Sequence, residues 1–409
     1  MALTLPTPLT RSPLTSPDEN VLFGRASEVQ EIVENCKADR LTVVTGAPGM
    51  GMSSMLRAGV TPALLRAGFI TVVFTDWQGR SLPARFREAV ALAIHEQGDG
   101  AFASAVEPLC DLLERAQNKT GKTVALVLDQ FEDYLRCHTG TDVSDGFDAE
   151  LSKAIGNRSG RFVIGMQDQE LAEFHRLSQY VPNLMGYSFS LAPLTQDAAK
   201  EMVRATAAHA EMEIEPEAVD LLVAAPAASV TFASGPPGVH PLYAKLAAEC
   251  LCAAEANLKS NHARAATVLA NGGADRLILE SLDFVIDNMG DVHTDLFFRW
   301  NILLLTPDAH RQPVSEAALL EHAGKLNRFG ATLLPLLQKN GILRTIELPQ
   351  GMRYELTRDS MGPVIRDWWS RKESSIVARQ RALFRVRSIS IAVGAIVLAY
   401  VIYLFVGAK

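Results

Sequence analysis

Short apolar runs alternate with longer helical stretches through the first half of the chain. Five runs rich in β-branched or other apolar side chains predict strands at 41–45, 70–74, 123–128, 161–166 and 188–191. Stretches with helical spacing, such as 82–95 and 105–117, lie between them. This alternation is typical of a parallel sheet covered on both faces, so we predict an α/β domain over 21–195.

The hydrophobic pattern changes after residue 195. Alanine and leucine dominate and no strand is evident before about residue 342, which predicts a helical subdomain at 196–290. In 291–370, helical stretches precede two runs at 341–347 and 352–356 that are joined by a turn. Helices that end in a β-hairpin predict a winged-helix-like subdomain.

The two ends of the chain differ from its centre. Residues 1–20 are rich in proline and lack the apolar core of a signal peptide, so we predict a flexible tail. Residues 388–408 contain no charged side chain, and a helix of this length spans about 30 Å, the thickness of a bilayer core. A buried core helix is the alternative, but a run that is apolar all round favours a transmembrane helix.

A basic segment precedes this apolar run. Residues 371–387, predicted as a juxtamembrane helix, carry six Arg or Lys and one Glu. Positive flanks stay on the cytoplasmic side, which predicts a single-pass C-terminal anchor in the inner (cytoplasmic) membrane, with the bulk of the protein in the cytoplasm. The lipid bilayer is therefore an expected partner.

Composition and charge narrow the function classes. The chain has 409 residues, 48% of them hydrophobic and 21% charged, which excludes a mostly disordered protein. The net charge is -7, and the basic C-terminal segment leaves residues 1–370 more acidic still, so there is no strong nucleic-acid signal. Five scattered cysteines do not form a disulfide framework and suit a reducing compartment.

A glycine-rich turn follows the first strand. Its sequence fits the phosphate-loop pattern G-x-x-x-x-G-K-[ST], except that Met52 stands at the lysine position. The glycines let backbone N–H groups surround phosphate oxygens, and the following helix directs its positive end at the same anion. The candidate nucleotide-binding residues are therefore Gly46, Ala47, Pro48, Gly49, Met50, Gly51, Met52, Ser53 and Ser54.

The third strand ends in an acid, as a Mg²⁺-binding aspartate requires. We predict that Ser53 and Asp129 hold Mg²⁺, and that Asp129 and Glu132 are catalytic; Glu132 or Asp133 could polarise the attacking water. Both motifs in the right order predict an α/β P-loop NTPase fold that binds ATP or ADP. The histidines show no helical H-x-x-x-H pair, so no other metal site is predicted.

Met52 bears directly on catalysis. A charged hydrogen bond contributes about 1.5–3 kcal/mol, and the lysine should matter more in the transition state. We therefore predict weak or absent hydrolysis, with residual nucleotide binding through backbone amides. Met52 reflects either natural degeneration or a deliberate substitution, and the intact Ser53, Ser54 and acids favour the second explanation.

With these residues in place, the chain resembles STAND-type ATPases, in particular the bacterial novel STAND group. The resemblance covers about residues 21–370 and rests on the loop, the Asp-Gln-Phe-Glu sequence at 129–132 and a Gly-Arg-x-x-Glu element at 24–28. Gln167 and Arg358 depart from the arginine and histidine usual in the family. The resemblance implies that the nucleotide is bordered by Phe23, Gly24, Arg25, Gln167, Pro241 and Arg358.

The resemblance also implies a function. We expect a membrane-anchored, ATP-binding signalling switch that is closed with ADP and oligomerises with ATP, with the transmembrane helix as effector or tether in antiphage defence. Many relatives carry a repeat array as sensor, and no such repeat is evident, so a separate sensor or trigger protein is expected. The alternatives are an AAA+-type ATPase motor or loader and a non-catalytic membrane scaffold.

Overall fold

The computed structural model describes most of the chain between residues 22 and 373. Within this described part, no helix combines the length and hydropathy needed to cross a membrane. The predicted tail at 1–20, the apolar run at 388–408 and Arg358 lie outside it, as does 371–387 except for two residues. The described residues are 22–79, 81–98, 106–138, 146–156, 160–224, 238–278, 280, 290–307, 309–348, 350–357, 362, 364–370 and 372–373.

Five parallel strands form the central sheet, which confirms the predicted α/β fold. Their spatial order is β2-β3-β4-β1-β5, and every neighbouring pair is parallel. β1 and β3 are buried along their whole length because helices cover both faces. The strands are β1 (Leu41–Gly46), β2 (Ile70–Phe74), β3 (Val124–Leu128), β4 (Gly160–Gln167) and β5 (Ser188–Leu191).

Side chains alternate between the two faces of the sheet. On β3, Leu126 joins the core on one face and Val127 joins the core on the other. Two helices cover the second face: α1 (Ala26–Ala38) and α2, a continuous helix that is α-helical at Met52–Ser54, π-helical at Met55–Val60 and α-helical at Thr61–Arg66. The first face carries α3 (Leu82–Gln97), α4 (Leu109–Thr120), α5 (Phe131–Cys137) and α6 (Phe147–Gly156).

A separate hydrophobic core joins the residues that follow the sheet. It extends from Leu194 to Trp368 and includes residues of both predicted subdomains, such as Leu246 and Leu333. The subdomain boundary near residue 290 stays a prediction. After the short α7 (Leu171–Phe174), the helices are α8 (Gln196–His209), α9 (Pro216–Ala224), α10 (Pro241–Asn257), α11 (Ala265–Ala270), α12 (Asp291–Leu304), α13 (Glu316–Ala323) and α14 (Asn327–Lys339).

The described residues of this second half form two pairs of strands. The expectation of no strand before residue 342 is wrong, because β6 (Glu213–Ile214) pairs in parallel with β7 (His262–Ala263). Two residues are too few to show the alternation that marks a strand in sequence. The predicted hairpin is confirmed as antiparallel β8 (Leu343–Leu348) and β9 (Gly351–Leu356), and β8 packs beside α5 of the first half.

Candidate nucleotide-binding site

The turn between β1 and α2 has the backbone of a phosphate loop. Gly49 and Gly51 have φ values of 84° and 82°, in the left-handed region that favours glycine. A Cβ on Gly51 would meet no described atom within 4 Å, so the backbone conformation, rather than crowding, requires this glycine. Helix α2 begins at Met52, directly after the turn. Residues 46–54 therefore end at a helix N-terminus, where an anion is stabilised.

The two residues predicted to hold Mg²⁺ lie together at the end of β3. Ser53 Oγ donates a hydrogen bond to Asp129 Oδ1 over 2.8 Å, and Asp129 is fully buried. Hydroxyl and carboxylate oxygens are ligands that Mg²⁺ prefers, so the donor atoms of this pair match the ion, but both Asp129 oxygens already accept hydrogen bonds in this structure. When bound, Mg²⁺ would neutralise charge on the phosphate oxygens. Elsewhere in the described part of the chain, no three His, Cys, Asp or Glu side chains form a metal site.

Arg57 contacts the same carboxylate, although the sequence analysis did not single it out. Its Nε donates a hydrogen bond to Asp129 Oδ2 over 2.8 Å. Burial raises the pKa of Asp129, and the positive charge of Arg57 and the hydrogen bond from Ser53 act in the opposite direction. Arg57 follows Ser53 by four residues, a spacing that puts both side chains on one face of α2. That spacing was a usable signal in the sequence.

Met52 occupies the first turn of α2. Its side chain is half-buried and packs against the core formed with α1 and α2. Its Sδ atom lies 3.5 Å from the position that a Cβ on Gly165 of β4 would take. The thioether therefore makes an apolar contact with the sheet and offers no charge to a phosphate.

Glu132 and Gln167 meet beside the end of the sheet. Gln167 Nε2 donates a hydrogen bond to Glu132 Oε1 over 3.1 Å. Oε2 of Glu132 is buried and has no hydrogen-bond partner among the described residues. Burial, and then the negative charge of Asp133, raise the pKa of Glu132. A raised pKa brings a carboxylate closer to the range of a general base, which suits its predicted role.

The chain turns sharply between the two predicted catalytic acids. Gln130 has a φ of 58°, which is uncommon for a residue other than glycine. Trp77 Nε1 donates a hydrogen bond to the backbone oxygen of Asp129 over 2.8 Å. The Trp77 ring also packs edge-on against Phe131, with centroids 5.2 Å apart. These contacts fix the backbone that carries both acids.

Two buried side chains from outside the sheet bind backbone oxygens of the phosphate loop. Arg25 Nη2 donates to Met50 O over 3.1 Å, and also to Ala192 O over 2.7 Å. His240 Nε2 donates to Pro48 O over 3.0 Å. Burial lowers the pKa of His240 to about 4, so the ring is neutral near pH 7. Arg25 was predicted at the site from the sequence, whereas His240 was not.

Three other residues predicted to border the nucleotide lie within two positions of Arg25 or His240, which bind this loop. Gly24 has a φ of 65°, and a Cβ there would come within 2.2 Å of the Ala198 Cβ in α8, so only glycine fits. Phe23 is half-buried beside it. Pro241 is buried in the first turn of α10, next to His240. The prediction for Arg358 lies outside the described residues.

A buried network of five charged residues begins one residue after Glu132. Arg311 Nη2 donates to Asp133 Oδ1 over 2.8 Å, and Arg344 Nη2 donates to Asp133 Oδ2 over 2.8 Å. Arg344 Nε also donates to Glu355 Oε1 over 2.9 Å, and Arg136 Nη2 donates to Glu355 Oε2 over 2.7 Å. The two acids are almost fully buried. We call Asp133, Arg136, Arg311, Arg344 and Glu355 the ionic bridge.

The ionic bridge joins the end of the sheet to the C-terminal hairpin. Asp133 and Arg136 lie on α5, whereas Arg344 and Glu355 lie on β8 and β9. Burial favours the neutral acid, but the charges of Arg311 and Arg344 hold the pKa of Asp133 below its usual range. The sequence analysis left open whether Glu132 or Asp133 polarises water. Asp133 is engaged by arginines, which leaves Glu132 as the acid with a buried oxygen available.

The chain is similar to one protein family in sequence and to several solved structures in fold. The model of the novel STAND NTPase 1 family matches residues 12–339. Among solved structures, Aeropyrum pernix ORC1 in complex with DNA is similar at 16% identity and a TM-score of 0.44, covering 88% of this chain and 94% of that one. The Thermotoga maritima RuvB P216G mutant is similar at 14% identity and a TM-score of 0.39, and the match covers 86% of this chain and 97% of that one. A search of curated proteins found no match. With TM-scores below 0.5, the structural similarities do not bear on function.

Proposed function

Since the chain belongs to the novel STAND NTPase 1 family, which its model matches over residues 12–339, we propose that it is a nucleotide-binding switch. The nucleotide binds at residues 46–54, and its presence changes the packing of the C-terminal hairpin. The ionic bridge is the observation that carries this proposal. It connects Asp133, the residue after Glu132, to Arg344 on β8, 211 positions away in the sequence, and to Arg311, 178 positions away. Arg344 in turn binds Glu355 on β9.

Glu132 lies directly beside the first acid of the ionic bridge in the sequence. Glu132 and Asp133 are consecutive in the first turn of α5, and both are buried. A change in the charge or position of Glu132 on nucleotide binding therefore acts on Asp133 through the backbone and at close electrostatic range. Because Asp133 holds Arg311 and Arg344, such a change alters the hairpin contacts. Packed interfaces respond to small shifts of this kind by moving between discrete arrangements.

Hydrogen–deuterium exchange of the full chain tests the switch. We expect ATP to bind and to change exchange in β8 and β9 of the native protein. Asp133→Asn should bind ATP but lose that response, because an amide pairs weakly with two guanidinium groups. Asp220→Asn is the matched control, since Asp220 makes only an exposed ion pair with Lys200 among its described contacts. Absence of ATP binding, or binding with an unchanged hairpin, would overturn the proposal.

We also propose that hydrolysis by this chain is impaired. Met52 supplies no positive charge where the loop pattern has lysine, and its side chain packs on the sheet. Slow hydrolysis would prolong the nucleotide-bound state of the switch.

We further propose a setting for this switch. ATP promotes self-assembly, a separate protein supplies the trigger, and residues 388–408 anchor the chain in the inner membrane as tether or effector in antiphage defence. The apolar run and its basic flank support the anchor. Two measurements test this: flotation with liposomes, which should require 388–408, and size-exclusion chromatography with light scattering, which should show ATP-dependent oligomers. A chain that neither floats nor assembles would contradict both parts.

A further inference from the structure

Both oxygens of the Asp129 carboxylate already have donors from one helix. Ser53 Oγ binds Oδ1 and Arg57 Nε binds Oδ2, each over 2.8 Å. The Asp129 side chain has no exposed surface, whereas the Arg57 side chain keeps 24% of its surface exposed. The guanidinium therefore lies between the buried acid and solvent, on the same face of α2 as Ser53.

The charges of this site differ from those that the loop pattern implies. A phosphate loop ordinarily meets its nucleotide with the lysine of the pattern and with Mg²⁺ held near the aspartate. Residues 46–54 contain no charged side chain in this protein. Without a counter-charge, buried Asp129 would repel the phosphates of a nucleotide bound at this loop. Arg57 supplies that counter-charge directly at the carboxylate.

We infer that Arg57 replaces the divalent ion as the counter-charge of Asp129, so that a nucleoside diphosphate binds this loop without Mg²⁺. An ion on Asp129 would lie within a few ångströms of the guanidinium, and the two cations would repel each other. Metal binding must therefore displace Arg57 from Oδ2 of Asp129, and this displacement lowers the affinity of the site for the metal. This inference rests on the proposed nucleotide site, and Arg57 is a positioning residue that acts through Asp129.

The test measures metal dependence rather than turnover. Affinity for fluorescent mant-ADP is determined with the full chain in excess Mg²⁺ and in excess EDTA. For the native protein we expect the two dissociation constants to agree within about threefold. Arg57→Gln should bind mant-ADP about tenfold to a hundredfold more weakly in EDTA than in Mg²⁺, because in EDTA neither an arginine nor an ion compensates the charge of Asp129. The expected range corresponds to the loss of one charged hydrogen bond.

Three further variants separate the charge from the fold. Arg57→Lys keeps a cation and should remain insensitive to EDTA. The double variant Arg57→Gln with Asp129→Asn removes both charges and should regain that insensitivity. Arg66→Gln is the matched control, because it removes an exposed arginine from the end of the same helix. Electron paramagnetic resonance with Mn²⁺ gives an independent measurement, in which Arg57→Gln with ADP should bind Mn²⁺ more tightly than the native protein does.

The outcomes are distinct. A native protein that needs Mg²⁺ to bind mant-ADP overturns the role of Arg57 and leaves the nucleotide switch intact, and this result needs no variant to fold. Equal Mn²⁺ affinity for native and Arg57→Gln proteins also overturns it. A native protein that binds no nucleotide under either condition overturns the proposed function itself.

Discussion

The phosphate loop follows β1 and the ionic bridge begins in α5, which follows β3, yet the two are built in opposite ways. The loop has no charged side chain in residues 46–54, and its shape depends on backbone conformation and on neighbours that bind its carbonyl groups. The ionic bridge places five charged side chains in a mostly buried position. The loop offers amides to a ligand that brings its own charge, whereas both acids of the bridge are paired with arginines of the bridge.

This difference indicates a division of roles. A binding loop of neutral groups tolerates the exchange of one phosphate ligand for another, because nothing charged is left unpaired when the ligand leaves. A buried network loses much more when a single member is removed, because the remaining charges stay in a medium of low dielectric constant. The bridge is therefore suited to two discrete states, one with its ion pairs intact and one with them rearranged.

The largest effect is expected when the bridge is broken. Asp133→Ala removes one of the two buried acids that Arg311 and Arg344 share, and Glu355 alone compensates their charges only in part. We expect a loss of about 3–5 kcal/mol in the free energy of unfolding, measured by urea denaturation. Asp220→Ala, which removes an exposed acid, should cost less than about 1 kcal/mol. Similar losses for the two variants would show that burial gives the bridge no special importance.

The next largest effect should come from adding charge to the loop. Met52→Lys provides the missing cation for transition-state stabilisation, and we expect ATP turnover to rise about 10²–10³-fold, or roughly 3–4 kcal/mol in activation free energy. Met52→Leu keeps the shape without a charge and should turn over ATP at the native rate. Equal rates for the native protein and Met52→Lys, measured as phosphate release, would contradict impaired hydrolysis.

A smaller effect concerns His240, the neutral donor that binds the loop from the position just before α10. Its pKa is about 4 in the folded protein, below the usual 6.5, so its contribution to stability is complete above pH 6.5 and is lost as the pH falls toward 4. Between pH 7.5 and 5 we expect a loss of about 2 kcal/mol from this group. His240→Gln keeps a hydrogen-bond donor but does not titrate. Urea unfolding of this variant at the two pH values should therefore lack the pH-dependent loss of stability that His240 causes in the native protein.

The smallest effect is expected from Ser53. Ser53→Ala removes one hydrogen bond to Asp129, while Arg57 still pairs with the other oxygen. We expect a loss of about 1.5 kcal/mol in unfolding free energy, the low end for a hydrogen bond to a charged group, which Ser53→Thr should largely restore. A loss as large as that of Asp133→Ala would show that the loop and the bridge are not as different as their charges indicate.

The sequence predicts the loop better than the bridge for a physical reason. The strands, the glycine-rich turn and the acid that ends β3 are local patterns, and the structure places them as the sequence indicates. The ionic bridge depends on tertiary packing between α5 and residues 311, 344 and 355, and no local periodicity reports such contacts. His240 was missed for the same reason, since Pro48 precedes it by 192 positions. Arg57 was within reach of the sequence, because helical spacing alone pairs it with Ser53.

Trp77 gives the molecule an internal optical reporter. Its indole is bonded to the backbone of Asp129, whereas Trp300, Trp368 and Trp369 belong to or pack against the core of the second half. Tryptophan emission depends on the polarity and motion of the surroundings. With those three tryptophans replaced by phenylalanine, the remaining tryptophan fluorescence, excited selectively over the tyrosines, would come from a single ring at the end of β3. Ligand-induced events at this strand end could then be followed in real time without attaching a dye.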